Sequence, residues 1–264
     1  NKIINVTNEN LKYEDSQAYT KVIAELSSKE NADIIIFSHS NMGKAIAPRL
    51  SVRLNAGLAA GVTQIPESVN PLIVKRRTYN GAAFLNIKIE TAVKIITINA
   101  NACDIIENPV DSNIENFDAT DDNVKTKVEE VDLVTGKILL TEADIVISGG
   151  RGLKSGDNWQ PIEELAELLG AGLACSRPVS DEGWRSHDEH VGQTGKIIAP
   201  SLYIAVGISG AIQHIGGVSA SKVIVAIDKD KDAPIFSYAN YGIVGDAFKV
   251  LPRLIESVKK YKNS

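Results

Sequence analysis

Aromatic side chains make up only 5% of this chain, and methionine occurs once. So few rings argue against a base-stacking platform for single-stranded nucleic acid. Basic residues are outnumbered, 28 against 33 acidic, and a formal net charge of -5 offers a phosphate backbone no broadly positive face. No apolar run approaches the roughly 20 residues of a membrane-spanning helix, so no membrane insertion is expected. The two cysteines, Cys103 and Cys175, stand far apart and form no CxxC pattern, which predicts free thiols in a reducing compartment. No signal peptide is visible. Of four histidines, two fall in "HDEH" (187–190). That stretch lacks the i, i+4 histidine pair and internal glutamate of a zinc-protease helix and reads as a polar loop, so no metal site is assigned. A serine hydrolase is equally disfavoured, because "GISGA" (207–211) is not G-x-S-x-G, and no catalytic residue is assigned.

What is present is ordinary for a globular chain of 264 residues: 44% hydrophobic and 23% charged. That length predicts one large or two modest domains. After a short strand "KIINV", Tyr19, Val22, Ile23 and Leu26 form one helical stripe. "ADIIIF" (32–37) has the pattern of a strand buried on both faces, Ser38 to Met42 reads as a polar loop, and Ile46, Leu50, Leu54 and Leu58 continue at helical spacing. "AAFLNIKI" and "VKIITINA" are predicted to be paired strands, and the acidic stretch 107–123 a solvated connection. The expected boundary lies near residue 140, between two α/β domains spanning 1–140 and 141–264.

The second half alternates strands with turns and helices, the pattern of an open parallel sheet of the Rossmann-like kind. "ADIVISGGRGLKSG" (143–156) is a strand entering a glycine-rich turn. The helix after it has Pro161, Glu163 and Glu164 near its start, a stripe of Ile162, Leu165, Leu168 and Leu169, and Gly170 as its stop. "LACSRPVS", "LYIAVGIS" and "KVIVAIDKD" are further strand candidates. A last helix carries Phe248, Leu251 and Ile255, with Pro252 predicting a bend or a late start. Ligands of such sheets bind outside the carboxyl ends of the strands, which is where the polar motifs fall.

The first of these motifs has Gly150 and Gly152 of a dinucleotide turn, but Ser155 stands where the third glycine belongs and Gly156 comes one place late. It is either a plain strand-to-helix turn or an anion site, and Arg151 favours the second. Ser176 and Arg177 end the next strand, where Arg177 is a ligand group or a surface residue. "HVGQTGK" (190–196) places Gln193 and Thr194 in a Gly-x-x-Gly turn with donors suited to a heteroaromatic ring or phosphate. "GISGAIQHIGG" (207–217) adds Gly207, Ser209, Gly210, Gln213 and His214. Taken alone, His214 is a packed core histidine more often than a ligand.

Taken together, "VISGGRGLKSGDNW", "SRPVSDEGW", "HVGQTGKIIAPSLYIAVGISGAIQHIGG" and "VIVAIDKDKDAPIFSYANYGIVGDAF" resemble the alpha subunit of electron transfer flavoprotein, in order and spacing. The resemblance covers essentially all of 143–264. Residues 1–140 resemble the family's partner-facing, nucleotide-binding-like N-terminal domain, expected here to be truncated at its start, without the opening strand and helix. The resemblance implies a heterodimer with a beta subunit, one FAD held by the alpha C-terminal domain, and AMP or a second flavin in beta. It implies electrons taken from acyl-CoA dehydrogenases and related flavoenzymes and passed to a quinone oxidoreductase or another acceptor. The implied location is the cytoplasm of a bacterium or the matrix of a mitochondrion. The role would be that of a carrier without substrate chemistry of its own.

Carried over by motif, Arg151 falls near the FAD diphosphate, with Ser209 on the phosphate side. Arg177, beside Ser176, lies at the isoalloxazine, and Thr194 of the Gln193-Thr194 turn near flavin N5. Gln213 and His214 match the Gln-His pair at the pyrimidine edge, and Asp246 an acid towards the adenosine. The sequence departs from the family pattern at His190, where glutamine is usual, at Asp228, where asparagine is usual, and at Asn240, where aspartate is usual. His190 adds a second titrating group near the flavin, and Asp228 weakens an adenosine contact, since a carboxylate accepts but does not donate. Rival readings are a bifurcating member of the family, a nicotinamide-binding α/β enzyme, and a nucleotide-binding structural subunit that has lost its flavin.

Overall fold

In the computed structural model, which describes residues 1–119, 126–131 and 138–263, the chain divides into two units. One is Asn1–Arg76 with Phe84–Leu133, the other Arg77–Ala83 with Val134–Ser264. The excursion at 77–83 is grouped with the second unit, and the later division falls between 133 and 134.

Up to residue 117 the elements are β1 (Lys2–Val6), α1 (Ser16–Lys29), β2 (Ile34–Ser38), α2 (Asn41–Leu54), β3 (Gly57–Val62), β4 (Ser68–Val69), β5 (Leu72–Thr78), β6 (Ala83–Ile89), β7 (Lys94–Ile98) and β8 (Asn113–Phe117). Helix α1 starts where Asp15 accepts from the N–H groups of Gln17 and Ala18. Helix α2 ends at Asn55, whose left-handed φ of 50° closes the last turn, so Leu58 lies in β3 and not on the helix as expected.

Pairing in this unit corrects three expectations. The main sheet has the order β2-β7-β3-β5-β4, with β6 on β5. The strands at 83–89 and 94–98 therefore do not pair with each other: β7 runs parallel between β2 and β3. Apolar content marks a strand but does not choose its neighbour. Strand β2 stands at the end of that order and Ile36 is 58% exposed, so burial on both faces is not found. Within the stretch expected to be a solvated connection, 113–117 form β8, parallel to β1 with Ile3 opposite Ile114. Its side chains are mostly exposed, which is why its composition read as a loop; residues 120–123 of that stretch lie outside the described ones.

The second unit continues with β9 (Ile145–Gly149), α3 (Gln160–Leu169), β10 (Gly172–Cys175), α4 (Arg177–Asp181), β11 (Leu202–Val206), α5 (Ile212–Val218), β12 (Val223–Asp228), β13 (Tyr241–Val244) and α6 (Ala247–Lys262). Its five strands pair in parallel in the order β10-β9-β11-β12-β13. This is a doubly wound sheet whose strand order reverses between β9 and β11, the place where such sheets open a crevice.

Both faces are covered, so successive strand residues enter different cores. Val146, Tyr203, Ala205 and Ile224 pack with Ile215 and Val218 of α5. Ile147, Ile204, Val206 and Ile227 pack with Ile162 and Leu165 of α3 and with Leu251 and Ile255 of α6. Each fully buried Leu or Ile here contributes about 1.5–3 kcal/mol. Pro161 sits in the first turn of α3, and Gly170 ends the helix with φ 62°. Helix α6 starts at Ala247 behind its cap Asp246 and continues through Pro252, so the proline does not delay it.

Candidate functional site

A cleft of about 580 Å³ opens at the carboxyl edge of the second sheet. Its walls are the segments that follow the strands. Arg151, Gly152 and Lys154 come after β9, Ser176 and Arg177 after β10, and Gly207, Ser209 and Gly210 after β11. Asp228 and Lys229 come from the end of β12, and Asp246 from the start of α6. His190 and Thr194 enter from the loop before β11, and Gln213 and His214 from α5. Residues scattered over almost a hundred positions meet because parallel strands deliver all their carboxyl ends to one edge.

Two residues singled out in the sequence do not line the cleft. The Gly150 N–H donates to the carbonyl of Val206 at 2.9 Å and so supports the wall from behind. The Gln193 side chain turns to Asn80, donating from Nε2 to Oδ1 at 2.6 Å, while its backbone N–H bonds Gln213. Asn240 is not a cleft residue either: its Oδ1 accepts from Ile224 N–H at 2.8 Å, so that departure acts at the start of β13. Lys154 and Lys229 line the cleft without having been predicted. Their signal was adjacency, Lys154 in the glycine turn and Lys229 beside Asp228.

Glycine is required where two walls cross. The Gly152 N–H donates to the Gly207 carbonyl at 3.0 Å, and a Cβ on Gly152 would stand 2.6 Å from Gly207 Cα. Gly207 itself is left-handed, with φ 62°. Only backbones without side chains approach this closely.

Charge is graded along the sheet. Arg177, Arg151 and Lys154 lie on the β10–β9 side, and Asp228 and Asp246, with one cation, Lys229, on the β12–β13 side. Five strands span about 19 Å, so the cleft presents different chemistry to the two ends of an elongated ligand. Among the described residues the Arg151 guanidinium makes no hydrogen bond or ion pair. Arg177 pairs with Asp181 at 3.3 Å, and both are more than half exposed. Each acid spends one oxygen on the backbone: Asp228 accepts from Asp230 N–H and Asp246 from Phe248 N–H. The N–H groups of Ser209, Gly210 and Ala211 have no hydrogen-bond partner among the described residues.

His214 is 6% exposed. Burial, and then the neighbouring His190, push its pKa down from 6.5 to about 4, against a smaller opposing effect of the Val191 backbone. It is therefore neutral at physiological pH. Its Nε2 lies 2.7 Å from the hydroxyl of Tyr203, and its Nδ1 is buried with no hydrogen bond of good geometry among the described residues. The pKa of His190 is also lowered, by burial first and then by Arg177, with Asp181 opposing.

The turn that leads into His190 is held by Arg185. Its guanidinium bonds Glu189 through Nε at 2.6 Å and Nη2 at 3.0 Å, bonds Glu163 at 2.7 Å, and lies over the Trp159 ring at 5.4 Å. Glu189 is 9% exposed, so Arg185→Met strands a buried carboxylate and is expected to cost about 3 kcal/mol. Glu163→Gln should cost under about 1 kcal/mol, because that partner is half solvated. Urea unfolding followed by tryptophan fluorescence checks both, and equal effects would contradict the clamp.

Residues 1–134 match the electron transfer flavoprotein domain, and 139–219 the electron transfer flavoprotein FAD-binding domain. The electron transfer flavoprotein subunit alpha of Bacillus subtilis is 39% identical over 262 residues, covering 98% of this chain and 81% of the relative. That of Thermoanaerobacterium thermosaccharolyticum is 40% identical, over 94% of this chain and 77% of the relative. The mitochondrial subunit of Dictyostelium discoideum is 39% identical, over 98% and 77%. The chain belongs to the electron transfer flavoprotein alpha subunit family. The cleft of this alpha subunit lies in its second unit, which contains the stretch matched to the FAD-binding domain. No helix among the described residues is long and apolar enough to cross a membrane.

Proposed function

We propose that this alpha subunit carries one FAD in the cleft of its second unit and works as an electron carrier in a heterodimer with a beta subunit. Residues 141–264 form the FAD-binding domain and 1–140 the partner-facing domain. Its donors are flavin dehydrogenases such as acyl-CoA dehydrogenases, and its acceptor is a quinone oxidoreductase or its equivalent. It works in the bacterial cytoplasm or the mitochondrial matrix.

One observation carries this reading. The Arg151 guanidinium, backbone N–H groups without partners among the described residues and a buried imidazole converge on one cleft at the sheet's reversal point. A flavin dinucleotide matches that donor set: two phosphates, a ring edge with acceptor atoms, and ribose hydroxyls. When bound, FAD supplies electron transfer one electron at a time.

The protein's part is binding and electrostatics. Arg151 and Lys154 hold the phosphates, helped by Ser209 and the N–H groups around it. Asp228 and Asp246 keep one oxygen each for hydroxyls. Thr194, Arg177 and His214 surround the ring. His214 presents an N–H and Arg177 a fixed positive charge where reduction builds negative charge. His190, with its lowered pKa, adds no full charge at neutral pH.

Arg151→Ala is expected to weaken FAD binding roughly 10- to 100-fold, the loss of one or two charge-assisted hydrogen bonds. The flavin-free heterodimer should melt unchanged, since Arg151 holds nothing else. Fluorescence titration with FAD checks this. A heterodimer that takes up no FAD would overturn the proposal, and two flavins per heterodimer would favour the bifurcating reading.

A further inference from the structure

We propose that Tyr203 is a positioning residue which fixes His214, a residue of the cleft wall, as the tautomer with its proton on Nδ1. The inference rests on the flavin reading above and assigns a role to a strand residue that does not touch the cleft.

The geometry sets the problem. Tyr203 on β11 is fully buried, and its hydroxyl meets His214 Nε2 on α5 at 2.7 Å, the rings tilted by 45°. Burial raises the phenol pKa, so Tyr203 keeps its proton, and it lowers that of the imidazole, so His214 holds one proton on two nitrogens. Only two arrangements satisfy the contact. Either the phenol donates to Nε2 and the imidazole proton sits on Nδ1, or Nε2–H donates to the phenol oxygen and Nδ1 is a bare lone pair.

The second arrangement needs another acceptor for the phenol proton. The candidate is Ser148 on β9, which the pleat places on the same face: Ser148 is opposite Ala205, two residues from Tyr203. Ser148 is fully buried, and its hydroxyl makes no bond of good geometry. The phenol proton thus has one partner within reach, His214 Nε2, and leaving a buried hydroxyl proton unmet is costly. Tyr203 then donates to His214 Nε2, and His214 carries its own proton on Nδ1. Chains of this kind polarise each member in the same sense. The buried Nδ1 is the open end of that chain.

His190 disfavours a second proton on the His214 ring, while a hydrogen bond with the Val191 backbone favours one weakly. Tyr203 holds the other nitrogen, Nε2, directly.

The test uses the alpha–beta heterodimer with 15N-labelled histidine, measured by long-range proton–nitrogen NMR with and without FAD. His214 should show a protonated Nδ1 and a bare Nε2 in both states, and Tyr203→Phe should abolish that preference. In the FAD-loaded Tyr203→Phe heterodimer, uptake of the first electron should be roughly ten-fold less favourable by redox titration. A proton on Nε2 in the native protein, or an unchanged tautomer in Tyr203→Phe, overturns the proposal. If Tyr203→Phe does not fold, incorporation of 3-fluorotyrosine replaces it. A more acidic phenol should shift the His214 Nε2 resonance, and no shift overturns the proposal. Because the tautomer is read without FAD, a heterodimer that binds no flavin would contradict the functional reading alone.

Discussion

Replacing Gly207 with alanine is expected to destabilise the second unit by about 2–5 kcal/mol and to empty the cleft of cofactor. Two costs add. A non-glycine residue held left-handed, here at φ 62°, costs about 1–2 kcal/mol. The new Cβ would stand 2.8 Å from Gly152 Cα and 3.1 Å from its carbonyl carbon. Those are backbone atoms, tied to Gly207 by the Gly152 N–H bond, and overpacking at such a place costs about 1–3 kcal/mol more. The strain falls on the crossing that holds Arg151 and Ser209 in one wall. Gly170→Ala is the matching control. Its φ is also 62°, but nothing lies within 4 Å of a Cβ there, so only the left-handed cost applies. Thermal melts should separate the two variants by several degrees, at roughly 2–4 °C per kcal/mol. If they melt together, the clash at Gly207 is not real.

The second large effect is a loss of stability in acid that traces to His214. Burial holds its folded pKa near 4, against 6.5 for the free side chain. Below pH 6.5 the unfolded chain gains a proton that the folded chain refuses, so stability falls as pH falls. The full contribution is present above pH 6.5, drains away between 6.5 and 4, and does not change further below that. Its size is on the order of 3 kcal/mol. His39 in the first unit behaves likewise, lowered to about 4 by burial, Lys44 and Arg76. The two can be told apart, because both tryptophans, Trp159 and Trp184, belong to the second unit. Urea midpoints by tryptophan fluorescence at pH 7.5 and 5.0 should converge in His214→Gln, which keeps an amide for Tyr203 but cannot titrate. An equal pH dependence in both proteins would mean that His214 is not buried neutral.

Much of the site was legible because its signals are local. The glycine turn at 150–152, the Ser176-Arg177 pair and "GISGAIQH" each follow a recognisable apolar strand, and parallel strands leave their ends no other place to converge. Helix α3 was readable for the same reason: Pro161 and Gly170 act within one turn of themselves. Gln193 shows the limit. Its spacing placed it with Thr194, but its side chain found Asn80, more than a hundred residues away, in a tip where Tyr79, Asn80 and Gly81 are all left-handed. Arg185 gave no signal either, since its partners Glu163 and Glu189 read as ordinary surface acids.

Composition and local pattern by themselves thus gave the α/β class, four of the five strands of the second sheet, with β13 missed, and most of the charged and glycine residues at its carboxyl edge. Those depend on alternation and on backbone preferences that each segment carries alone. The tertiary structure decided which strands of the first unit pair, since hydrogen-bonding edges accept any neighbour that topology brings. It also decided what the buried polar groups do. "LYIAV" reads as a plain strand, and nothing in it marks Tyr203 as the partner of a histidine eleven residues on. That contact exists because the chain turns back from β11 into α5 and encloses both rings, and burial then makes one shared proton consequential.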